Sequence, residues 1–437
     1  MTEARDVVIV GASLAGLRAA EGLREGGYDG RLTLVGEEPH PPYARPPLSK
    51  QVLSGWVAPH QTGLPRLQPL AADWRLGARA IGLDRAGRRI ALADGTALGF
   101  DRLIVATGVR SRPWFMPEQA ALKGVHTLRT RDDAAALMAD LATARRVLVI
   151  GAGFTGSEVA SACRDRGLAV TVVEIAEKPL LAALGTLVGG HAEKLQRRAG
   201  VDLRCGEAVT ELVADAAGRV VAARLASGEE IEADVVVVCL GAVRNTEWLE
   251  GAGLDIGHGG LACDAFCRAL ETGGGRAEGI FVCGDVARFR HPLAGEAMIS
   301  LEHWGNAVEQ ARIAAANLLQ PGSATNETAL PRFWSMQFGS NFKAAGLPPL
   351  ADQAMVVQGR IEDGRFIVAY GRAGRMVGVV AVNQAQWMGF YEQQIAVGAT
   401  FPPTWRVVDQ PDDAPPAAAG FPEPQPGDAR APSLTPA

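Results

Sequence analysis

The chain has 437 residues, enough for two or three domains. Hydrophobic residues make up 48% and charged residues 21%, the balance of a soluble globular protein, and no apolar run reaches the ~18 residues of a membrane helix. A net charge of −5 without a basic cluster argues against a nucleic-acid binder.

The N-terminus, "MTEARDVVIVGAS", carries acidic residues and enters a strand directly. It therefore does not read as a signal peptide, and a cytoplasmic location is expected. "DVVIV" (6–10) is a strand, "GASLAG" (11–16) a turn, and "LRAAEGLREGG" (17–27) a helix with Leu17, Ala20 and Leu23 on one face. "RLTLV" (31–35) is a second strand ending at Gly36-Glu37. "HPPYARPPLSK" (40–50) follows and is stiff. Its prolines fix φ at about −65° and push the residues before them away from helix. Arg45 and Lys50 ride on that frame.

Residues 75–100 read as short antiparallel strands, and "DRLIVATG" (101–108) as a buried strand closed by Thr107-Gly108. The opening unit then recurs 140 residues on: "RVLVI" (146–150), "GAGFTG" (151–156), helix 157–167 and strand "AVTVVE" (169–174). This is an internal duplication rather than a solenoid repeat. Residues 201–241 repeat the strand-rich texture and close at Gly241. "GIFVCGDVA" (279–287) is a buried strand ending in Gly284-Asp285, and 306–319 is a helix with an Ala/Leu face. From about 325 the texture changes to an antiparallel meander (354–383) and a helix (384–398). Beyond about 406 the chain is rich in Pro and Ala without periodicity, and 406–437 is expected to be a disordered tail.

Each glycine turn follows a strand, opens a helix and has an acid at the end of the next strand. Glu37 lies 21 residues past Gly16, and Glu174 lies 18 past Gly156, against roughly 20 in the dinucleotide fingerprint. Glycine lets backbone approach a pyrophosphate, the helix N-terminus attracts its charge, and the carboxylate accepts from ribose hydroxyls. The first copy has Ser13 where a second glycine is usual. Two dinucleotides in one chain suggest a relay in which a nicotinamide delivers hydride to a flavin. Glu174 repels a 2′-phosphate and so favours NADH over NADPH, with Lys178 the nearby cation that softens this.

Asp285 reads either as a group pointing into the ligand crevice or as a helix N-cap. Trp304 reads as a shield for a flavin edge or as a core residue. His303 has no triad partners and reads as structural. The six cysteines form no Cys-x-x-Cys pair or zinc set and read as reduced packing residues; none falls within 40–50.

Together "VIVGASLAG", "GEEPHPPYARPPLSK", "DRLIVATG", "TLRTRDDA", "VLVIGAGFTGSEVA", "GIFVCGDVARF", "EHWGNAVEQARIAAANLL" and "FWSMQFG" resemble the FAD-dependent ferredoxin reductases of cytochrome P450 and Rieske oxygenase systems. The resemblance covers about 1–405. It implies an α/β fold with two Rossmann-like dinucleotide-binding domains, as in glutathione reductase, plus a C-terminal α+β domain. The FAD domain would be discontinuous (1–112 and 242–322), the NADH domain 113–241 and the C-terminal domain 323–405.

The resemblance implies FAD binding by Gly11, Ser13, Leu14, Ala15, Gly16, Glu37, Lys50, Ala80, Arg129, Asp285 and Trp304, with Arg45 and Pro46 along the flavin. It implies NADH binding by Gly151, Gly153, Phe154, Thr155, Gly156, Glu158 and Glu174. Ala106, Thr107, Gly108, Gly241 and Gly284 complete the cofactor-binding set. Lys50 and Glu158 would meet near the flavin N5 as the catalytic pair. The implied activity is hydride transfer from NADH to FAD, then single-electron transfer to a separate small iron–sulfur ferredoxin.

Arg288, Arg290 and Arg312 are candidates to steer an acidic ferredoxin. No metal site, membrane or nucleic acid is expected, and the chain would be a monomer or weak homodimer. Alternatives are a rubredoxin reductase or an NADH-sensing flavoprotein of the apoptosis-inducing-factor type. Two departures stand out: Met336 where relatives carry Asp, and Ala182-Ala183 where they carry an arginine.

Overall fold

A computed structural model describes residues 5–67, 69–322, 330–411 and 415–422. Three sheets organise the chain. In the first, strands run in the order 73–76, 31–36, 6–10, 102–105, 276–282 and 268–270, parallel except for the last. In the second the order is 202–205, 169–174, 146–150, 235–238 and 125–126, all parallel. Runs such as "DVVIV", "RVLVI" and "VVVV" suit strands covered on both faces, since β-branched side chains pack well there. Strands 6–10 and 146–150 each lie between a neighbour reached directly and one reached by a long connection. That is the switch point at which an open α/β sheet leaves a crevice beyond its strand ends.

The helices Leu14–Glu25 and Phe154–Asp165 begin right after the glycine turns. Gly11 takes φ 117° and Gly151 φ 101°. A Cβ on Gly11 would sit 2.0 Å from the Ala106 carbonyl oxygen, so the turn can pack on the neighbouring strand only without a side chain. The helix Trp304–Leu319 covers the first sheet beside Leu14–Glu25, with Ala307, Ala311, Ala314 and Ala315 buried between them.

The third sheet is antiparallel, in the order 332–337, 340–346, 375–382, 365–372, 353–360 and 417–418. The helix expected over 384–398 is shorter, Met388–Ala396, after a tight turn at Ala385–Trp387.

The expectation of a disordered tail needs correction. Ala417–Ala418 pair with Gln353–Ala354, and Ala419 is only 2% exposed. Composition missed this because two paired residues and one buried methyl leave no periodic signal. Residues 412–414 and 423–437 lie outside the described residues.

Candidate functional site

Two adjoining cavities, of about 280 and 840 Å³, run along the carboxyl ends of strands 6–10 and 102–105. They share Ser13, Tyr43, Arg45, Ala106, Thr107, Val109 and Arg129. The smaller is also lined by Leu14, Ala15, Pro46, Lys50, Gly108, Phe154, Thr155, Glu158, Asp285, Glu302, His303, Trp304, Phe333 and Trp334. The larger reaches Gly11, Glu37, Arg79 and Ala80. Residues far apart in sequence thus form one long cleft. Gly16, Gly151, Gly153, Gly156, Glu174, Gly241 and Gly284 line neither cavity. Gly16 and Gly156 act by close packing: a Cβ on either would fall within 2 Å of the carbonyl oxygen of Gly11 or Gly151.

The stiff segment 40–50 is anchored at several points. Tyr43 bridges to Gly63, and Leu48–Val52 makes a turn of wide, π-type helix. Such turns often accompany functional sites. The Tyr43 hydroxyl donates to Glu38 and accepts from the Arg131 amide at 3.0 Å. Arg45 donates to the Arg129 carbonyl at 2.8 Å and to Glu38 Oε1 at 2.5 Å. Burial works against the Arg45 guanidinium, yet Tyr43 and Glu38 hold its pKa above the ordinary value.

Lys50 and Glu158 meet. Lys50 Nζ lies 2.7 Å from Glu158 Oε2, with the side chains 14% and 6% exposed. Ser49 Oγ donates to the same oxygen at 2.5 Å, and Ser335 Oγ to Oε1 at 2.6 Å. The cluster joins the stiff segment, the second fingerprint helix and the C-terminal sheet. Sequence reasoning missed both serines, although each lies inside a quoted motif.

Arg129 is held by helix capping. Thr130 and Asp133 cap Arg131–Leu141 reciprocally, at 3.0 and 2.8 Å, and the Arg129 amide also donates to Asp133. The Arg129 side chain then donates to Asp285 Oδ2 at 2.8 Å. Asp285 is therefore a crevice residue rather than a cap.

Beside it, Arg244 and Glu302 form a buried pair at 2.5 Å. Burial raises the Glu302 carboxyl above its ordinary range against the pull of Arg244. Burial also pushes His303 down to about 4, so it is neutral at pH 7. Its Nδ1 and the Arg129 Nε have no hydrogen-bond partner among the described residues. His303, read as structural, thus belongs to the cleft wall. Trp304 is 39% exposed and lines the cleft, which excludes the core alternative.

These features fit an elongated anionic dinucleotide. Fixed cations line the cleft, a helix N-terminus opens onto it, and buried donors have capacity to spare.

At the second fingerprint, Glu174 accepts from the Ala152 and Ala176 amides at 2.6 and 2.8 Å, bracing the loop as well as marking the strand end. Lys178 pairs with Glu193 at 3.6 Å. Glu37 is 66% exposed and 3.7 Å from Arg79. Thr107 Oγ1 donates to the Asn245 carbonyl, and the Gly241 carbonyl accepts from the Arg112 amide. The three candidate steering arginines are each paired: Arg288 with Asp255, Arg290 with Glu296 and Arg312 with Glu309. Pairing weakens their reach as a positive surface.

All six cysteines are free thiols. Burial pushes Cys163, Cys239 and Cys283 up to about 12, which leaves them inert. Among the described residues no cysteine lines either cavity.

Residues 5–311 match the family described as pyridine nucleotide-disulphide oxidoreductase, and residues 332–413 match the reductase C-terminal family. The chain is 39% identical to rhodocoxin reductase of Rhodococcus erythropolis over 385 residues, 86% of each chain. It is 37% identical to the ferredoxin–NAD(+) reductase component of the anthranilate 1,2-dioxygenase system of Burkholderia cepacia, covering 90% of this chain and 94% of that one. Its fold is similar to the reductase in the covalent putidaredoxin reductase–putidaredoxin complex. The TM-score there is 0.84 at 31% identity, covering 91% of this chain and 94% of the other.

Proposed function

Since this chain belongs to the pyridine nucleotide-disulphide oxidoreductase family, we propose that it is an NADH:ferredoxin oxidoreductase serving a cytochrome P450 or Rieske oxygenase. FAD, when bound, supplies the link between a two-electron hydride donor and a one-electron acceptor. The observation that carries this reading is the cysteine-free cleft in which Lys50 and Glu158 meet. With no thiol beside the reacting centre, electrons have no internal disulphide to reduce. With no cysteine set in the chain able to hold a cluster, the iron–sulfur acceptor is a separate protein.

The chain's own groups divide the work. Ser13 to Gly16 and Arg129 would hold the FAD pyrophosphate, and Glu37 would take its ribose. Asp285 would take the ribityl side, and Arg45, Pro46 and Trp304 would flank the ring system. Lys50 Nζ, fixed in advance by Glu158, would offset the negative charge that a reduced flavin carries, with little reorganisation of the protein. Glu158 and Phe154 would seat the nicotinamide, while Gly151 to Gly156 and Glu174 would bind the rest of NADH. Phe333 and Trp334 help close the mouth against water.

The reading takes the protein as a cytoplasmic monomer or weak homodimer that needs neither membrane nor nucleic acid. Among the described residues no helix is long and apolar enough to cross a membrane. The test is NADH-driven cytochrome c reduction with single 2Fe–2S ferredoxins added. A ferredoxin-dependent rise in rate is expected, and no rise with any iron–sulfur protein refutes the reading.

A further inference from the structure

The segment Ala417–Phe421 lines neither of the two cavities. Ala417 and Ala418 extend the edge of the C-terminal sheet. The Ala419 amide donates to the Asp352 carbonyl, and its own carbonyl accepts from the Thr186 amide, both at 3.0 Å. The Gly420 carbonyl accepts the Thr186 hydroxyl at 3.2 Å. Phe421 lies against Tyr370, with ring centroids 6.3 Å apart.

Thr186 belongs to the helix Leu181–Arg198, which connects strands 169–174 and 202–205 of the second parallel sheet. The segment therefore ties that helix to the C-terminal sheet. The helix is broken where the segment docks: Gly185 takes φ 69° and ψ −175°. A Cβ there would lie 2.4 Å from the Ala419 carbonyl oxygen.

Leu180, the residue that caps this helix, also touches the second fingerprint. The Leu180 amide donates to the Ala152 carbonyl at 3.0 Å, while the Ala152 amide donates to Glu174 at 2.6 Å. Phe154 shares one buried cluster with Leu180, Leu184 and Ala419. Physical links thus run without a gap from the segment through the broken first turn of the helix to the fingerprint loop. Helix ends are among the first parts of a fold to open locally, and this one has a kink inside its first turns.

We propose that Ala417–Phe421 is a positioning strap for NADH binding. It holds the first turn of Leu181–Arg198, and through it the Ala152 peptide and Phe154, in the binding-competent arrangement. This rests on reading 151–156 as the NADH fingerprint. Loosening the strap lowers the fraction of molecules ready to bind and so raises the apparent dissociation constant in proportion.

Two full-length, FAD-loaded variants test it. Gly420→Ala puts a Cβ 1.8 Å from Thr186 Oγ1 at a residue with φ 69°, which expels the strap. Phe421→Ala removes only its aromatic anchor and serves if the first variant misfolds. Calorimetry of NAD+ binding should show a dissociation constant raised about fivefold or more. FAD content should not change, and the rate at saturating NADH should stay within about twofold while KM rises. Parent-like NAD+ affinity in both variants overturns the proposal. Absence of NAD+ binding in the unaltered protein overturns the fingerprint reading and the strap with it.

Discussion

Replacing Lys50 by Met removes the cation 2.7 Å from Glu158, in a place where both side chains are nearly sealed from water. A carboxylate left unpaired there costs about 3–5 kcal/mol. Ser49 and Ser335 still donate to it, but neutral donors offset less charge than an ammonium does. Urea unfolding of parent and variant at pH 7 measures that loss. The double variant with Glu158→Gln should recover most of it. A loss under about 1 kcal/mol at pH 7 refutes the buried pair as drawn. The single variant should also keep FAD yet lose most of its rate of reduction by NADH. A normal rate would leave Lys50 a scaffold residue.

Gly11→Ala combines φ 117° with a Cβ 2.0 Å from the Ala106 carbonyl oxygen. It should cost at least about 2 kcal/mol and abolish FAD retention, read as flavin released on gel filtration. Glu174→Ala removes the acceptor for the Ala152 and Ala176 amides. It should raise the KM for NADH about tenfold or more while narrowing the preference over NADPH, measured as the ratio of kcat/KM values. His303 titrates at about 4 in the folded protein against 6.5 ordinarily. The unfolded chain therefore binds the extra proton between those values, and stability falls as pH drops through that window, by about 3 kcal/mol from this group. His303→Gln should remove that portion of the slope in unfolding titrations between pH 4 and 7, and an unchanged slope would place the proton uptake elsewhere.

Local periodicity made much of this legible. Strands 146–150 and 169–174 fall where their apolar runs place them, because covered parallel strands are written as continuous runs. Helices Leu14–Glu25 and Phe154–Asp165 begin earlier than their apolar period suggests, since the glycine turn itself starts the helix. The Lys50–Glu158 contact joins residues 108 apart and rested on resemblance alone. Arg244–Glu302 and Ser335–Glu158 were invisible, because nothing local to either partner marks a pairing across strands and domains. The strap escaped for a different reason. The chain around it is rich in Pro and Ala, as in a disordered tail, and its order comes from a groove built by distant residues, above all the notch at Gly185.

The central claim is that two electrons enter together and leave singly to a separate protein. Its most direct measurement is anaerobic titration of the FAD-loaded protein with NADH in the presence of oxidised 2Fe–2S ferredoxin, following cluster reduction by absorbance and electron paramagnetic resonance. Each NADH should reduce two ferredoxins, rapidly and at a rate that depends on the ferredoxin present. Flavin that is reduced by NADH and then stays reduced in the presence of every ferredoxin would contradict it.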